Sequence, residues 1–338
     1  MGCDTMTPLL EVDSLEMAFS TGAGDIKCLD RVSLHVNQGE ILCIVGESGS
    51  GKSVTLLSVM GLLGENGKIT GGKVVFDGQE LLKLPEEELD RIRGSKMTMI
   101  FQDAMASLNP LFTIGNQIME AMRIHMNLDR KTAKERALLL LDKVGLPDPS
   151  SIMNKYPHTL SGGMRQRAMI AMSLACNPKL LIADEPTTAL DVTIQAQIME
   201  LLRNLREELH MSIILITHDM GLVAEMADRV MVMYAGQIVE EAGVLDLFKK
   251  PGHPYTQALL KSIPSIRDKE ERELLTIEGA VPEFYGEITG CRFANRCPYM
   301  ANGCDLEQSL VEIEDSHGTR CWRAEEIRER KKQASGRN

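Results

Sequence analysis

Leu15, Met17 and Phe19 alternate with polar or small residues, and so do Val32, Leu34 and Val36. A period of two predicts strands with one buried face. Residues Ile41–Val45 form an unbroken apolar run instead, the pattern of a strand covered on both faces. A helix is expected over Lys52–Leu63, and further strands over Lys73–Phe76 and Met97–Phe101. From Ile114 to Ala175 strand signals are few. Leu138, Leu141 and Val144 repeat there at helical spacing, so this stretch reads as a helical insertion. The alternation then resumes, with an apolar run at Leu180–Ala183, a helix over Thr193–Leu209 and a second run at Ile213–Thr217. Strands alternating with helices imply an α/β fold built on a parallel sheet.

The chain has 338 residues, room for about two domains. Hydrophobic residues at 43% and charged residues at 25% are ordinary for a globular protein and exclude a wholly disordered one. A formal charge of −11 argues against broad nucleic-acid binding, which needs a concentrated basic surface. The most apolar window, Ala168–Cys176, is too short to span a bilayer. The N-terminus lacks the basic region and apolar core of a secretion signal. Position six is Met6 rather than Ser or Thr, which excludes a myristoylation signal. A cytoplasmic location is expected.

The sharpest chemistry lies at Gly46-Glu47-Ser48-Gly49-Ser50-Gly51-Lys52-Ser53, which fits G-x-x-x-x-G-K-[ST] between a buried strand and a helix. Glycines let the backbone curl so that successive N–H groups point at phosphate, and the helix N-terminus continuing into Val54 adds positive partial charge. Lys52 is expected on the β- and γ-phosphates and the Ser53 hydroxyl on Mg²⁺. Asp184 closes an apolar run, where the second Mg²⁺ contact of a P-loop ATPase belongs. Glu185 follows and can polarise a water for attack on the γ-phosphate.

Leu160-Ser161-Gly162-Gly163-Met164-Arg165-Gln166-Arg167 resembles the signature motif of the ABC ATPases. Other motifs of that family stand in order. Gln102 matches the Q-loop, Thr188-Ala189-Leu190-Asp191 the D-loop and His218 the switch histidine. Phe19 lies 27 residues before Gly46, where the family places an adenine-stacking aromatic. The resemblance implies a nucleotide-binding domain with a mixed sheet core, an antiparallel β subdomain and a helical subdomain. It implies that Ser161, Gly162, Gly163 and Asp191 meet ATP held by a second ABC subunit. It places Phe19, Gly46, Ser48, Gly49, Ser50, Gly51, Lys52, Ser53, Val54 and Gln102 on the chain's own ATP, with Ser53, Gln102 and Asp184 at Mg²⁺. Glu185 and His218 are then the catalytic pair. Met164 departs from the Gln usual at its position.

Phe101-Gln102-Asp103-Ala104-Met105-Ala106-Ser107-Leu108-Asn109-Pro110 is similar to the Q-loop region of oligopeptide and dipeptide importer ATPases, except that Ala104 replaces a Pro. Tyr156-Pro157-His158 before the signature and His253-Pro254-Tyr255-Thr256-Gln257-Ala258-Leu259-Leu260 fit the same group. This resemblance spans roughly residues 7–323. It implies a heterodimeric ATPase partner, two membrane permease subunits, an extracytoplasmic substrate-binding protein and a place on the cytoplasmic face of the membrane. Nickel, glutathione or oligosaccharide import is the alternative. A soluble ABC ATPase acting on nucleic acid or ribosomes fits less well, because only ~107 residues without heptads separate Gly51 from His158. The motifs are complete, which argues against a regulator that only binds ATP.

Cys291, Cys297, Cys304 and Cys321 are spaced C-x5-C-x6-C-x16-C. Four thiolates suit a soft metal centre. Structural zinc draws on closer cysteine pairs, so the gaps suit a larger group, although they match no common ferredoxin pattern. Resemblance to the peptide-importer subunits favours a [4Fe-4S] cluster over zinc, with unliganded cysteines the third alternative. The expected organisation is an ABC ATPase domain at 7–263 with its helical subdomain at 114–175, a linker at 264–290, a cysteine-rich metal segment at 291–323 and a polar tail at 324–338. The linker rests on seven acidic and three basic residues between Ser265 and Gly290.

Overall fold

The computed structural model describes residues 7–22, 24–103, 107–188, 190–263 and 277–335, with side chains up to residue 329. It divides into two compact units. One unit is built from 9–35, 42–82 and 216–338, and the other from 36–41 and 83–215, with the N-terminal residues up to Pro8.

The first unit opens with β1 (Leu10–Thr21), β2 (Gly24–Val36), β3 (Ile41–Val45), β4 (Gly67–Phe76) and β5 (Gln79–Glu80). Strands β2, β1, β4 and β5 lie side by side in a small sheet, in which β1 runs antiparallel to β4 from Leu10 opposite Phe76 to Phe19 opposite Gly67. Leu10 and Val12 are buried and Glu11 and Asp13 exposed, in a period of two; an irregularity at Ser14, with a φ of 48°, shifts the phase so that Leu15 and Met17 are the next buried pair.

The second unit contributes β6 (Met97–Ile100), β7 (Leu180–Asp184) and β8 (Ser212–Ile216). Strands β6 and β7 pair in parallel, with Ile100 opposite Ala183. Between β6 and β7 the chain is helical, at Ile114–Met126, Arg130–Lys143, Pro149–Ile152 and Gly162–Ser173. Side chains cap all four of these starts: Thr113 accepts from Asn116 N–H, Asp129 from Lys131 and Thr132, Asp148 from Ser151, and Ser161 from Met164. Ile118, Met122, Ala137, Leu141 and Ala168 are buried where the longer helices pack.

The chain then returns to the first unit with β9 (Arg229–Tyr234), β10 (Gln237–Gly243), β11 (Val311–Glu314) and β12 (His317–Thr319). Strand β3 pairs in parallel with β9, whereas β9 with β10, β10 with β12 and β12 with β11 are antiparallel. The sheet is therefore mixed, as the family resemblance implies, and not the parallel sheet that the strand–helix alternation alone suggests. The reason is a tight turn at Ala235-Gly236, both with positive φ, which reverses the chain directly from β9 into β10.

Two expected boundaries shift. The helix after the phosphate loop stops at Met60, three residues early, because Gly61 adopts a left-handed φ of 62° and turns the chain. The polar stretch from Ala324 is helical through Ser335. Much of the expected linker, residues 264–276, lies outside the described residues, as do residues 336–338 of the tail. Among the described residues no helix is long and apolar enough to cross a membrane.

Glu240 of β10 is fully buried. Its carboxylate accepts hydrogen bonds from the Gly252 and His253 amides and meets His317 Nε2 at 2.7 Å. This side chain fixes β12 to β10 from within. Glu240→Ala should lower stability by about 3–5 kcal/mol, because it strips a hydrogen-bonded buried pair of one partner. Thermal or urea unfolding of the purified chain measures this, and a loss below 1 kcal/mol would remove Glu240 from that role.

Candidate functional site

In the first unit, β3 runs buried into Gly46, and a helix begins at Lys52. Gly46, Gly49 and Gly51 have φ of 153°, 78° and 99°, which L side chains rarely adopt. Space also forbids a side chain at Gly46, where a Cβ would sit 2.1 Å from the Met233 carbonyl oxygen. The Ser50 hydroxyl donates to the Glu47 carbonyl at 2.6 Å and holds the curl. The buried Lys52 ammonium donates to the carbonyls of Gly46 and Glu47 at 2.7 and 2.9 Å. Lys52 thus folds over the loop and can exchange these carbonyls for phosphate oxygens. Ser48 and Gly49 are exposed on the loop, and Ser53 and Val54 are half-buried at the helix start.

Phe19 is half-buried near the end of β1. His218 is exposed in the short turn after β8. Both flanks of that turn are pinned. The Thr217 amide donates to the Ile44 carbonyl at 3.4 Å, and Asp219 caps the helix Met220–Met226.

In the second unit, Asp184 is the buried last residue of β7. Glu185 follows with a φ of 46°, an uncommon conformation for a residue with a side chain. Its Oε2 accepts from Gln102 Nε2 at 3.0 Å and from the Thr188 hydroxyl at 2.9 Å. The β6–β7 register brings Gln102 and Glu185 together, since Ile100 stands opposite Ala183 and each polar residue lies two positions further on.

Ser161 caps the helix Gly162–Ser173, so the signature residues form that helix's first turn. A Cβ on Gly163 would come within 3.1 Å of Ile194 Cγ2, and one on Gly162 within 3.6 Å of Leu190 Cδ2. The signature turn therefore packs against the start of the helix Val192–Leu209, which Asp191 caps by accepting from the Ile194 amide at 2.9 Å. Ala189 of the D-loop lies outside the described residues, as do Ala104, Met105 and Ala106 after Gln102.

Two residues around the phosphate loop had no role assigned from sequence. The Tyr255 hydroxyl accepts from the Glu47 amide at 2.8 Å, and burial pushes its pKa well above the usual tyrosine range. Arg296 donates to the Glu47 carboxylate at 2.8 Å. Tyr255 stood inside a stretch already singled out as a family marker, but nothing in its spacing ties it to the loop. Arg296 lies 249 positions from Glu47 and carried no signal.

Cys291, Cys297, Cys304 and Cys321 all line one small cavity of about 20 Å³, together with His253, Phe293 and Trp322. The Cys291 amide donates to the Cys304 carbonyl at 2.7 Å. Burial, with a smaller contribution from the neighbouring thiols, pushes the pKa of Cys291 and Cys321 up to about 11. Among the described residues no group of three or more His, Cys, Asp or Glu side chains is arranged to hold a metal ion.

A phosphate loop, a glutamate held beside a Q-loop glutamine and a Ser-Gly-Gly helix start together define an ATP-binding cassette. Residues 29–188 match the family model for ABC transporters, and residues 239–304 match that for the C-terminal region of oligopeptide/dipeptide transporters. A probable peptide ABC transporter ATP-binding protein of Sinorhizobium fredii is 50% identical over 94% of this chain and 96% of its own length. The dipeptide transport ATP-binding protein DppD of Escherichia coli is 49% identical over 93% and 96%. The oligopeptide transport ATP-binding protein AppD of Bacillus subtilis is 51% identical over 95% and 98%. The dimeric structure of an ATP-binding cassette in a post-hydrolysis state, bound to ADP and Pi, is 31% identical with a TM-score of 0.63, over 70% of this chain and 98% of that one. The chain belongs to the ABC transporter family, among its ATP-binding proteins.

Gly46→Ala should abolish nucleotide binding, since the added methyl cannot share space with the Met233 carbonyl. Titration with a fluorescent ATP analogue checks this. Binding within twofold of the parent would show that the loop tolerates a different path.

Proposed function

We propose that this chain is the ATP-hydrolysing subunit of an importer of di- or oligopeptides. The observation that carries the reading is identity of about 50% along nearly the whole chain to peptide-transport ATP-binding proteins. The match to the oligopeptide/dipeptide C-terminal region lies outside the ATPase motifs and narrows the class further.

Each residue then has a defined task. Lys52 and the amides of Gly46, Ser48, Gly49, Ser50 and Gly51 bind the phosphates, and Phe19 offers a half-exposed ring to adenine. Ser53, Gln102 and Asp184 would hold Mg²⁺, which supplies charge neutralisation at the β- and γ-phosphates. Glu185 accepts a proton from the attacking water, its carboxylate aimed by Gln102 and Thr188. His218 contacts the γ-phosphate from its pinned turn. Phosphoryl transfer depends mainly on positioning and charge stabilisation, so this spread of small contributions is sufficient.

Ser161, Gly162, Gly163 and Asp191 serve the nucleotide of a second ATPase subunit, in a heterodimer that closes on ATP and reopens after hydrolysis. Two membrane permease subunits couple this cycle to transport, and an extracytoplasmic binding protein delivers the peptide. The chain works as a peripheral subunit on the cytoplasmic face.

Cys291, Cys297, Cys304 and Cys321 would hold a [4Fe-4S] cluster. What supports this is the donor set, four thiols lining one cavity, and their sequence spacing, which is wider than the close pairs usual for structural zinc. Bound there, the cluster would tie four separate stretches of the C-terminal segment together.

Glu185→Gln should lower ATP turnover at least about 100-fold, the upper half of what a positioned general base contributes being lost, while ATP binding is retained. Phosphate release by the assembled transporter measures it, and unchanged turnover would remove Glu185 from the chemistry. Cys297→Ser should cost the metal centre. Protein purified without oxygen should be brown, with about four iron and four sulfide per chain, and the variant should lose both. A colourless parent protein with one zinc per chain would overturn the cluster.

A further inference from the structure

The phosphate loop carries a carboxylate that binding anionic ATP should disfavour. Glu47 is the second residue of the loop, between Gly46 and Ser48. Its neighbours show how that charge is managed. Arg296 Nη1 donates to Glu47 Oε2 at 2.8 Å, with the arginine side chain 8% exposed and the glutamate 26%. The same guanidinium lies 3.3 Å from the Tyr234 hydroxyl and donates to the carbonyls of Glu278, Ile277 and Gly279 at 2.8, 3.2 and 3.2 Å. The Glu47 amide is held as well, by Tyr255. Glu47 Oε1 is buried with no hydrogen-bond partner, so Arg296 carries the compensation of this carboxylate.

We infer that Arg296 is a positioning residue for ATP binding: it neutralises Glu47 and holds it away from the phosphates, which ties the loop to the C-terminal cysteine segment. Arg296 immediately precedes Cys297, and the short turn Ala294–Arg296 follows Phe293, whose ring packs edge-on against Tyr234 at 5.3 Å. The chain around the cysteines therefore sets where the guanidinium sits. Without Arg296, a carboxylate in a partly desolvated loop faces the incoming phosphates, and like charges at such range repel strongly.

An electrostatic role for Arg296 has signs that a merely structural contact does not. The inference rests on ATP being the ligand of the phosphate loop. The experiment measures ATP affinity and the KM and kcat of hydrolysis for the full chain in its transporter, with melting temperature without nucleotide as a control. Arg296→Met should weaken ATP binding about tenfold, within the usual range for coupled sites, raising KM more than it lowers kcat. Glu47→Gln alone should bind ATP at least as well as the parent. The Arg296→Met/Glu47→Gln pair should recover most of the lost affinity, and Arg296→Lys should keep most of it despite losing the forked contacts to the carbonyls.

Failure of Glu47→Gln to rescue, or a loss in Arg296→Lys equal to that in Arg296→Met, would overturn the inference and leave Arg296 as packing. If Arg296→Met does not fold, Arg296→Lys and Glu47→Gln still decide. Weaker ATP binding in Glu47→Gln would overturn it too. A parent protein that binds no ATP would sink the proposed function instead.

Discussion

The parallel pairing of β3 with β9 sets the nucleotide end of its unit. Val45 stands opposite Val232, so the next residues on the two strands, Gly46 and Met233, meet at their backbones. The Met233 carbonyl occupies the space where any Cβ on residue 46 would lie. Only glycine fits, and its φ of 153° starts the curl that turns the following amides inward. The same register places Tyr234, one residue later, against Tyr255 and Phe293, with ring centroids 4.6 and 5.3 Å away. Tyr255 then holds the Glu47 amide. One strand register thus shapes the loop from below through a carbonyl and from the side through an aromatic cluster.

A second register does comparable work in the other unit. Pairing of β6 with β7 puts Gln102 and Glu185 at neighbouring strand ends. Glu185 holds a left-handed backbone conformation, which costs on the order of 1–3 kcal/mol for a residue with a side chain. Hydrogen bonds to a charged group contribute roughly 1.5–3 kcal/mol each, less where water competes, as it does at this half-buried carboxylate. Two of them, from Gln102 and Thr188, are enough to offset the strain. Any event that withdraws Gln102 therefore weakens the hold on Glu185. A displacement of Gln102 would reach Glu185 through this bond.

Elements with local signals were legible in the sequence. The unbroken run Ile41–Val45 and the alternation from Leu15 to Phe19 became strands because burial on two faces or one leaves a direct pattern. The phosphate loop, Asp184 and Glu185 were legible because glycine and carboxylate positions follow from phosphate chemistry. Other features depended on distance in space. Strands β9 and β10 drew no notice, although β9 is almost entirely apolar, because no motif lies on them. Their tight turn is what makes the sheet mixed. Arg296 and Glu47 are 249 residues apart, and no periodicity joins them. The helix Ala324–Ser335 was hidden by its polarity, with only Ala324 and Ile327 among its described side chains buried.

The C-terminal segment poses a stability problem of its own. Stretches of some 30 residues are too small to build an independent core, and those below about 40 usually rely on disulfides, metals or association. Here the interior is small, with four thiols lining one cavity beside Phe293, Trp322 and Ile327. The segment is also held from outside by charged side chains, Arg31–Glu307 and Lys250–Glu314 among them. Glu240 grips His317, Asp30 pairs with Arg292 at 2.6 Å, and Glu47 pairs with Arg296. Arg292 and Glu240 are deeply buried, and such pairs lose in desolvation much of what they gain in attraction. They stabilise little, yet a pair with one partner displaced is strongly disfavoured, so they fix position more than stability. Through Arg292 and Arg296 this small segment is tied to Asp30 and Glu47. The cost of ordering the segment and the state of the phosphate loop are thereby linked through the same few side chains.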